Sequence, residues 1–309
     1  MIRYWKQWLA VGVGCGVAFF APIHFESNAQ FYIHLMDAAH LPAFFALTLF
    51  AHAFWPWETT QCKRRLFAAG GVAAVSGVIE IIQPLTGRTM GLTDFVNGMM
   101  GILIALLFLA TQRTLFRVLL IPLAAGCVVA AFFPAWKESA GMRWRAANFP
   151  LLADFEIDDE LRLWIGTGLG NVRNDGAAVD RVREHASHGE WSLRVVTTTS
   201  SPWPGVRLLN GGQDWRGKKA LAFDVWNDGP AFTLSVRIDD DFPHQQYHDR
   251  YNDSFEVIPG ANHIVIPVED IATKPKNRRL NLAGIERTIL YVNEPKSAHT
   301  FFIDHMRLE

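Results

Sequence analysis

Residues 80–98 read EIIQPLTGRTMGLTDFVNG, and this run decides how the first half of the chain folds. It places two carboxylates, one guanidinium and two amides between apolar segments: Glu80, Asp94, Arg88, Gln83 and Asn97. About 20 consecutive apolar residues are enough to cross the hydrocarbon core of a bilayer. An ionisable group inside such a segment needs a partner or a water-filled cavity, because a desolvated charge is costly. The run therefore predicts a membrane domain with a functional polar site.

The chain divides into an apolar half and a polar half. Its 309 residues carry 29 basic and 30 acidic side chains, and 50% are hydrophobic, which on average resembles a soluble protein. Most acidic residues, however, follow residue 136, whereas residues 1–135 are apolar segments separated by short basic loops. We therefore expect a transmembrane domain over residues 1–136, a linker over 137–150 and a soluble domain over 151–309.

Five segments of the first half could span a bilayer: residues 5–23, 34–55, 66–85, 93–110 and 116–135. Lys and Arg are concentrated before the first segment, between the second and third, and between the fourth and fifth. Because basic loops favour the cytoplasmic side, this alternation predicts a cytoplasmic N-terminus and an extracytoplasmic C-terminal half. A cleaved signal peptide over residues 1–22 is the alternative for the first segment.

Polar side chains of these segments lie near one predicted membrane face. Side chains three apart in a helix share a face, which pairs Asp37 with His40 and Asp94 with Asn97. The full set expected to converge at the extracytoplasmic ends of the helices is Asp37, His40, Glu80, Gln83, Arg88, Asp94 and Asn97. A lipid headgroup could reach them there. The alternative is a buried ion network that only holds the helices together.

The pattern Glu80-x-x-Gln83, Arg88, Asp94-x-x-Asn97-Gly98-x-x-Gly101, preceded by Asp37-x-x-His40, resembles the VanZ-like integral membrane proteins. The resemblance covers residues 30–112. It departs at Ala38, where the family often has Lys. A member associated with resistance to the glycopeptide teicoplanin gave the family its name. The resemblance implies a multi-pass protein of the bacterial inner membrane, with polar residues near the outer face.

The second half has the pattern of an all-β domain. Short alternating segments cover residues 191–199, 206–209, 220–226, 233–239, 254–258, 263–268, 288–292 and 301–308. Turn-forming clusters at residues 210–212, 227–229 and 259–262 separate several of them. We predict a jelly-roll sandwich of two sheets, so that the whole chain is a transmembrane helical bundle followed by an all-β domain.

Three segments of this half, ADFE at 153–156, GEWSLRV at 189–195 and FIDHMRL at 302–308, resemble carbohydrate-binding-module-like sandwiches of the galactose-binding type. The resemblance spans residues 151–309. In that class, acidic residues of the first and last strands often hold a structural calcium ion. The resemblance therefore implies a Ca²⁺ site at Glu156 and Asp304, whose oxygen ligands suit that ion.

A sugar site requires flat aromatic surface beside fixed polar groups, because sugar C–H faces stack on rings and hydroxyl groups need hydrogen-bond partners. Candidates in the second half are Trp203, Trp215, Trp226, Tyr247, Tyr251, Arg237, Asp239, Asp241 and Arg250. Burial in the sandwich core is the alternative for the two tryptophans Trp215 and Trp226, and a solvated turn is the alternative for residues 239–241.

Several other classes of function are not expected. The 3 cysteines lie in the first half, so no disulfide is predicted for the soluble domain. The sequence has no CxxC, no HExxH and no glycine-rich phosphate loop. Nucleic acid is not an expected partner, and the oligomeric state stays open.

Two functions remain. In the first, the membrane domain binds or processes an envelope or lipid-linked glycan at its outer polar site, while the β-domain recruits the saccharide. Glu80 or Asp94 would act as general base, and Arg88 would pair a phosphate or carboxylate. In the second, the membrane domain is a non-enzymatic anchor or interaction platform for the binding module, with an effect on glycopeptide tolerance. The sequence leaves enzymatic activity undecided.

Overall fold

The computed structural model describes residues 29–82, 92–111, 114–167, 176–242 and 246–309. The chain divides into two compact units, whose described residues are Ala29–Trp136 and Lys137–Glu309. The first unit is helical and the second is an antiparallel β-sandwich, which confirms the predicted fold class.

Four long helices begin in the described part of the first unit: α1 (Ala29–Ala53), α2 (Gln61–Ile82), α3 (Leu92–Ala110) and α4 (Thr114–Asn148). By length and composition, all four could cross a membrane. Helix α1 ends shortly before Pro56, as expected because the residue preceding a proline avoids the helical conformation. The predicted span over residues 5–23 lies outside the described residues.

Helix α3 packs against α1 through two glycines. A Cβ atom on Gly101 would lie 2.2 Å from the carbonyl oxygen of Leu41, so any side chain there would collide with the α1 backbone. One turn earlier, a Cβ on Gly98 would lie 3.2 Å from the Phe44 ring. Small residues on one face let two helices approach closely, which is the usual device in membrane helix packing. This contact fixes the start of α3, including Asp94, beside α1.

The predicted linker is wrong over most of its length, because residues 137–148 form the last three turns of α4. These turns belong to the β unit. A Cβ on Gly141 would lie 2.8 Å from the Asp159 carbonyl oxygen, and the Trp144 side chain packs against the sandwich core. Arg145 is 7% exposed, and its Nη1 donates a hydrogen bond to the Leu209 carbonyl oxygen.

The β unit contains eleven strands among its described residues: β1 (Leu151–Ala153), β2 (Trp164–Thr167), β3 (Ala177–Val182), β4 (Ser192–Thr197), β5 (Gly205–Gln213), β6 (Ala220–Asn227), β7 (Phe232–Asp240), β8 (Tyr251–Val257), β9 (Gly260–Pro267), β10 (Ile285–Val292) and β11 (Thr300–Leu308). A short helix, α5 (Val268–Thr273), follows β9. One sheet has the order β3-β4-β11-β6-β9, with β1 on β11, and the other has the order β2-β5-β10-β7-β8.

The core of the sandwich lies between the two sheets and is built by period-2 alternation. On β7, Leu234, Val236 and Ile238 are fully buried, while the intervening Ser235 and Arg237 face the other side of the sheet. The largest completely buried side chains of the unit include Trp164, Trp215, Tyr251, Phe155, Phe223 and Phe301.

All eight predicted strand segments coincide with observed strands, whereas β1, β2 and β3 were not predicted. The predicted turn at 210–212 is wrong, because these residues lie inside β5. The pairing with β10 jumps there from Leu209↔Arg287 to Gln213↔Ile285, so the strand bulges. Gly211 has φ 71°, a conformation that glycine adopts without strain. The glycines bend the strand rather than end it.

Candidate functional site

A groove of about 760 Å³ lies on the outer face of the five-stranded sheet, and we call it the sheet groove. Its floor comes from β10, β7 and β8, with Ile289, Arg237 and Ser254 among the lining side chains. Its walls include Trp203, before β5, and Tyr247, in a short 3₁₀ turn before β8. The volume is within the range usual for small-molecule sites in proteins.

Strand pairing sets the order of side chains across this floor. Arg207 on β5 pairs with Ile289 on β10, and Ile289 also pairs with Arg237 on β7. Arg237 pairs on its other side with Asn252 on β8. Residues paired directly across a sheet point to the same face. Because Ile289 and Arg237 line the groove, Arg207 lies in the same row on the same face.

Exposed aromatic rings stand at both walls of the sheet groove. Trp203 is 48% exposed, and its indole Nε1 donates a 3.0 Å hydrogen bond to Oδ1 of Asn293. Tyr247 is 59% exposed, and the Arg250 guanidinium carbon lies 5.6 Å from the centre of its ring. These contacts hold each ring in a defined orientation. Rings held in this way offer flat faces on which sugar C–H groups can stack.

The sheet groove is electrostatically positive. Arg237 and Arg250 are the two charged side chains among its described lining residues, beside a histidine, His299. Burial lowers the pKa of His299, which keeps this ring neutral near pH 7. Burial, and then the neighbouring Arg237 cation, lower the pKa of the Arg250 guanidinium, a group that stays protonated in proteins. Two cations therefore face the groove at physiological pH.

A buried carboxylate orients the floor cations. Asp239 is fully buried, and its two oxygens accept hydrogen bonds of 2.8 and 2.7 Å from Arg237 Nε and Nη2. Arg287 Nε donates a further 2.5 Å bond to the same carboxylate. The Nε of Arg250 is buried and has no hydrogen-bond partner among the described residues. An unused buried donor is costly, so this nitrogen is one unsatisfied polar group beside the groove.

The structure brings four of the nine candidate sugar-binding residues together: Trp203, Arg237, Tyr247 and Arg250 line the sheet groove. Asp239 does not line the groove, but its carboxylate accepts the hydrogen bonds that hold Arg237. Tyr251 points into the core, where its hydroxyl donates a 3.1 Å hydrogen bond to Asp253 and burial raises its pKa. It therefore has no exposed face for a sugar.

The other aromatic candidates lie elsewhere. Trp215 is fully buried in the core, as its alternative interpretation stated. Trp226 lies on the six-stranded sheet, in a smaller depression of about 380 Å³ that also includes Asp224 and His263. Asp241 accepts a 2.9 Å hydrogen bond from the Asn281 side chain, at a loop outside the groove.

Sequence reasoning missed several groove residues. Asn293 holds the Trp203 indole, and Tyr291 lines the floor beside it. Ser235 and Ser254 also line the floor and are 3.0 Å apart through their hydroxyl oxygens. Alternation along β7 places Ser235 on the same face as Arg237, which is the signal that could have identified it.

In the helical unit, three helices bring predicted polar residues together. The Asn97 side chain on α3 donates a 2.9 Å hydrogen bond to the Asp37 carbonyl oxygen on α1. His40 Nδ1 on α1 lies 3.9 Å from Asp94 Oδ1 on α3. With Glu80 on α2 these residues form a cluster of three, in which one possible metal-binding atom of each lies within 4.8 Å of the other two. Two further residues of the predicted set, Gln83 and Arg88, lie outside the described residues.

The two predicted calcium ligands hold one loop of the β unit. Glu156 Oε1 accepts hydrogen bonds of 2.8 and 3.0 Å from the backbone N–H groups of Glu190 and Trp191. Asp304 Oδ2 accepts bonds of 2.7 and 2.8 Å from those of Ser187 and His188. A cation at Asp304 would meet these N–H hydrogens, which does not fit a calcium cage made of oxygen ligands. Calcium binding there stays a prediction.

Comparisons with known proteins give structural likeness only. No family model matches the chain, so the VanZ-like resemblance stays a prediction. No curated protein matches either.

Among solved structures, the chain is similar to a family 11 carbohydrate-binding module from Clostridium thermocellum, in complex with a β-1,3-1,4-mixed-linked tetrasaccharide. The identity is 17% and the TM-score is 0.40, and the match covers 51% of this chain and 93% of that one. It is also similar to an exo-β-agarase, with 16% identity and a TM-score of 0.39 over 52% of this chain and 24% of that one. This chain thus spans about a quarter of the agarase. Likeness at this level leaves the ligand to be argued from the groove itself.

Proposed function

We propose that the β unit binds an acidic saccharide in the sheet groove, and that the helical unit anchors this binding domain in a bacterial membrane. One observation carries the proposal. Two arginines, Arg237 and Arg250, face a groove whose two walls hold the exposed rings of Trp203 and Tyr247.

The chemistry of these side chains favours a sugar that bears an acidic group. A ring face suits the C–H surface of a pyranose, and a guanidinium pairs a carboxylate or sulfate through two parallel hydrogen bonds. Because Asp239 already occupies Nε and Nη2 of Arg237, that residue presents its remaining nitrogen to a ligand. Arg250 lines the groove and adds a second guanidinium next to the Tyr247 ring. A neutral glycan would not use the positive charge of these two half-buried side chains.

The membrane part of the proposal rests on the four apolar helices and on the distribution of Lys and Arg. Basic loops on one side would place the N-terminus in the cytoplasm and the β unit outside the bacterial inner membrane. The VanZ-like resemblance of residues 30–112 agrees with such a location.

A second candidate function is the processing of a lipid-linked glycan at the polar group of the helical unit. It is favoured by the buried His40, Glu80 and Asp94, because an anchor needs no ionisable cluster inside an apolar bundle. In this case Glu80 or Asp94 would serve as general base, and the sheet groove would deliver the saccharide. An effect on glycopeptide tolerance would follow from altered envelope polymers.

Calorimetric titration of the full-length protein in detergent tests saccharide binding. The ligands are oligogalacturonate and the same oligosaccharide with its carboxylates reduced to alcohols. We expect the acidic form to bind at least about 10-fold more tightly, since a hydrogen bond to a charged group contributes about 1.5–3 kcal/mol. Raising the salt concentration from about 0.05 to about 0.5 M should reduce this difference, because exposed charges are screened.

Matched arginine variants locate the effect. Arg250→Gln should weaken binding of the acidic ligand about 10-fold or more and leave binding of the neutral ligand nearly unchanged. Arg216→Gln is the control, because Arg216 is 67% exposed and pairs Asp214 outside the groove. Equal affinity for the acidic and neutral ligands, or equal loss in both variants, would contradict the proposal.

A further inference from the structure

Three buried ligand-type side chains meet where α1, α2 and α3 pack together. His40, Glu80 and Asp94 are 3%, 5% and 4% exposed. An imidazole nitrogen and one oxygen of each carboxylate all lie within 4.8 Å of one another. Each helix contributes one of the three, so the cluster depends on the packing of the bundle and not on a single segment of sequence.

Backbone packing holds these side chains in place. The close contact of Gly101 with the Leu41 backbone fixes α3 against α1 next to the cluster, since Asp94 lies two turns before Gly101 and His40 directly precedes Leu41. The Phe44 ring stacks on the His40 imidazole with centres 5.9 Å apart. A rigid backbone keeps the three donor side chains close together, which favours binding of an ion at a fixed position.

The hydrogen bond of His40 defines its tautomer. Nδ1 lies 2.9 Å from the Met36 carbonyl oxygen, which can only accept a hydrogen bond, so Nδ1 carries the proton. The neutral imidazole then has its lone pair on Nε2. Histidines that bind metals usually donate their second ring nitrogen to a carbonyl or carboxylate, and this bond orients the ring toward the ion. His40 makes this bond from Nδ1, and because Nδ1 is also the nitrogen closest to Asp94, 3.9 Å from Oδ1, binding through Nε2 requires a small movement of the ring or of the carboxylate.

Charge supplies the remaining argument. A doubly charged cation between two buried carboxylates would be attracted by both, because charges interact strongly in an apolar interior. One imidazole with two carboxylates is a donor set that first-row divalent metals accept.

We propose that His40, Glu80 and Asp94 form a binding site for a divalent transition metal ion, of which Zn²⁺ is the representative. Donor atoms around zinc lie about 3–3.5 Å apart, given bonds of about 2.0–2.2 Å, so side-chain rotation by about 1 Å would close the cluster on the ion. Three protein ligands leave at least one coordination position for water or for an oxygen atom of a ligand. The site is independent of saccharide binding in the sheet groove.

Metal titration of the full-length protein in detergent tests the proposal. After chelator treatment, the wild type should take up about one equivalent of Co²⁺ and develop the visible absorption bands of a coordinated ion, and Zn²⁺ should displace it. His40→Ala and Asp94→Asn should each weaken metal binding about 100-fold or more. Removing a residue that hydrogen-bonds to a metal ligand already costs up to about 100-fold in affinity, and removing the ligand itself should cost at least as much.

The control is His34→Ala, which removes an imidazole from the same helix. His34 lies 4.0 Å from Asp37 and is more exposed than His40. It should keep the wild-type affinity and absorption. Size-exclusion profiles and thermal unfolding of each variant report whether the bundle is intact. If the wild type showed no saturable Co²⁺ uptake, the proposal would be overturned, and this result does not depend on any variant. Unchanged uptake by folded His40→Ala protein would overturn it as well.

Discussion

At the scale of single residues, Asp239 organises the proposed binding surface without touching the solvent. Its carboxylate is fully buried and accepts hydrogen bonds from both Arg237 and Arg287. Removing it would leave two neighbouring cations without a shared counter-charge, and leaving a charge unpaired in a buried site is strongly destabilising. The carboxylate thus pre-organises the groove, which lowers the conformational cost of binding.

Glu160 is a second buried carboxyl in the β unit, and it predicts a pH dependence of stability. Burial raises its pKa from 4.5 to about 8, although the Asp154 and Phe155 backbone N–H groups donate to it. A carboxyl with a higher pKa in the folded state binds its proton more tightly there, so its contribution to stability is fullest below pH 4.5 and is lost as the pH rises toward 8.

The melting temperature of the fragment 137–309 should therefore fall between about pH 5 and pH 8, and Glu160→Gln should flatten this fall because it removes the titrating group. Asp158→Asn is the control, since Asp158 is an exposed acid of the same 3₁₀ turn and should leave the slope unchanged. A wild-type melting temperature that does not change over this range would contradict the role assigned to Glu160.

Residue type alone could not separate Tyr247 from Tyr251. Both are tyrosines beside charged residues, and both were predicted to bind glycan. Tyr251 begins β8 on the core-facing side, whereas Tyr247 lies in the 3₁₀ turn before it. The sequence does not reveal where the strand begins, so it does not reveal which of the two rings is buried.

At the scale of elements, the end of α4 shows why the sequence predicts a linker where the structure has a helix. Residues 137–148 are polar and follow an apolar segment, which is the pattern of a linker. They are also rich in helix formers such as Glu138, Met142 and Arg143, so the helix continues. Trp144 and Arg145 then contact the sandwich. A soluble fragment therefore has to start at residue 137, before these two side chains.

Strands were predictable where they alternate and not where they are short or irregular. β7 alternates cleanly over Phe232–Asp240 and was identified. β1 covers only Leu151–Ala153, too few residues to show a period. In β5 the two glycines at 211 and 212 have the chemistry of a turn, but tertiary pairing with β10 keeps them in the strand as a bulge.

The close contact between α1 and α3 predicts that no residue larger than glycine fits at position 101 without a loss of stability. Gly101→Ala should lower the free energy of unfolding by about 1–3 kcal/mol, the usual cost of overpacking, because its Cβ would lie 2.2 Å from the Leu41 carbonyl oxygen. Gly77→Ala is the matched control on α2, where a Cβ would meet no described atom within 4 Å. It should be neutral or slightly stabilising, since alanine favours helix.

Denaturant unfolding of the full-length protein in detergent compares the two variants. If Gly101→Ala were as stable as Gly77→Ala, the glycines would not set the distance between these helices. The positions of His40 and Asp94 would then need another explanation.

At the scale of the whole molecule, the sheet groove joins residues far apart in the chain. Trp203, Arg237, Tyr247 and Asn293 become neighbours only because the sheet has the order β2-β5-β10-β7-β8. Local sequence indicated which residue types to consider, and it named four of the lining residues. Strand order and register depend on long-range pairing that no local pattern encodes. The sequence therefore predicted members of the site but not its shape or its positive charge.

The central claim is that an acidic saccharide occupies the sheet groove, and the most direct test maps the binding surface of the fragment 137–309 by NMR. Titration with oligogalacturonate should shift the indole N–H signal of Trp203 and the Nε–H signals of Arg237 and Arg250, because all three lie in the groove. The indole signal of Trp226 should stay in place, since it lies in the smaller depression of the other sheet. Shifts at Trp226 with none at Trp203, or no shifts at saturating ligand, would contradict the account.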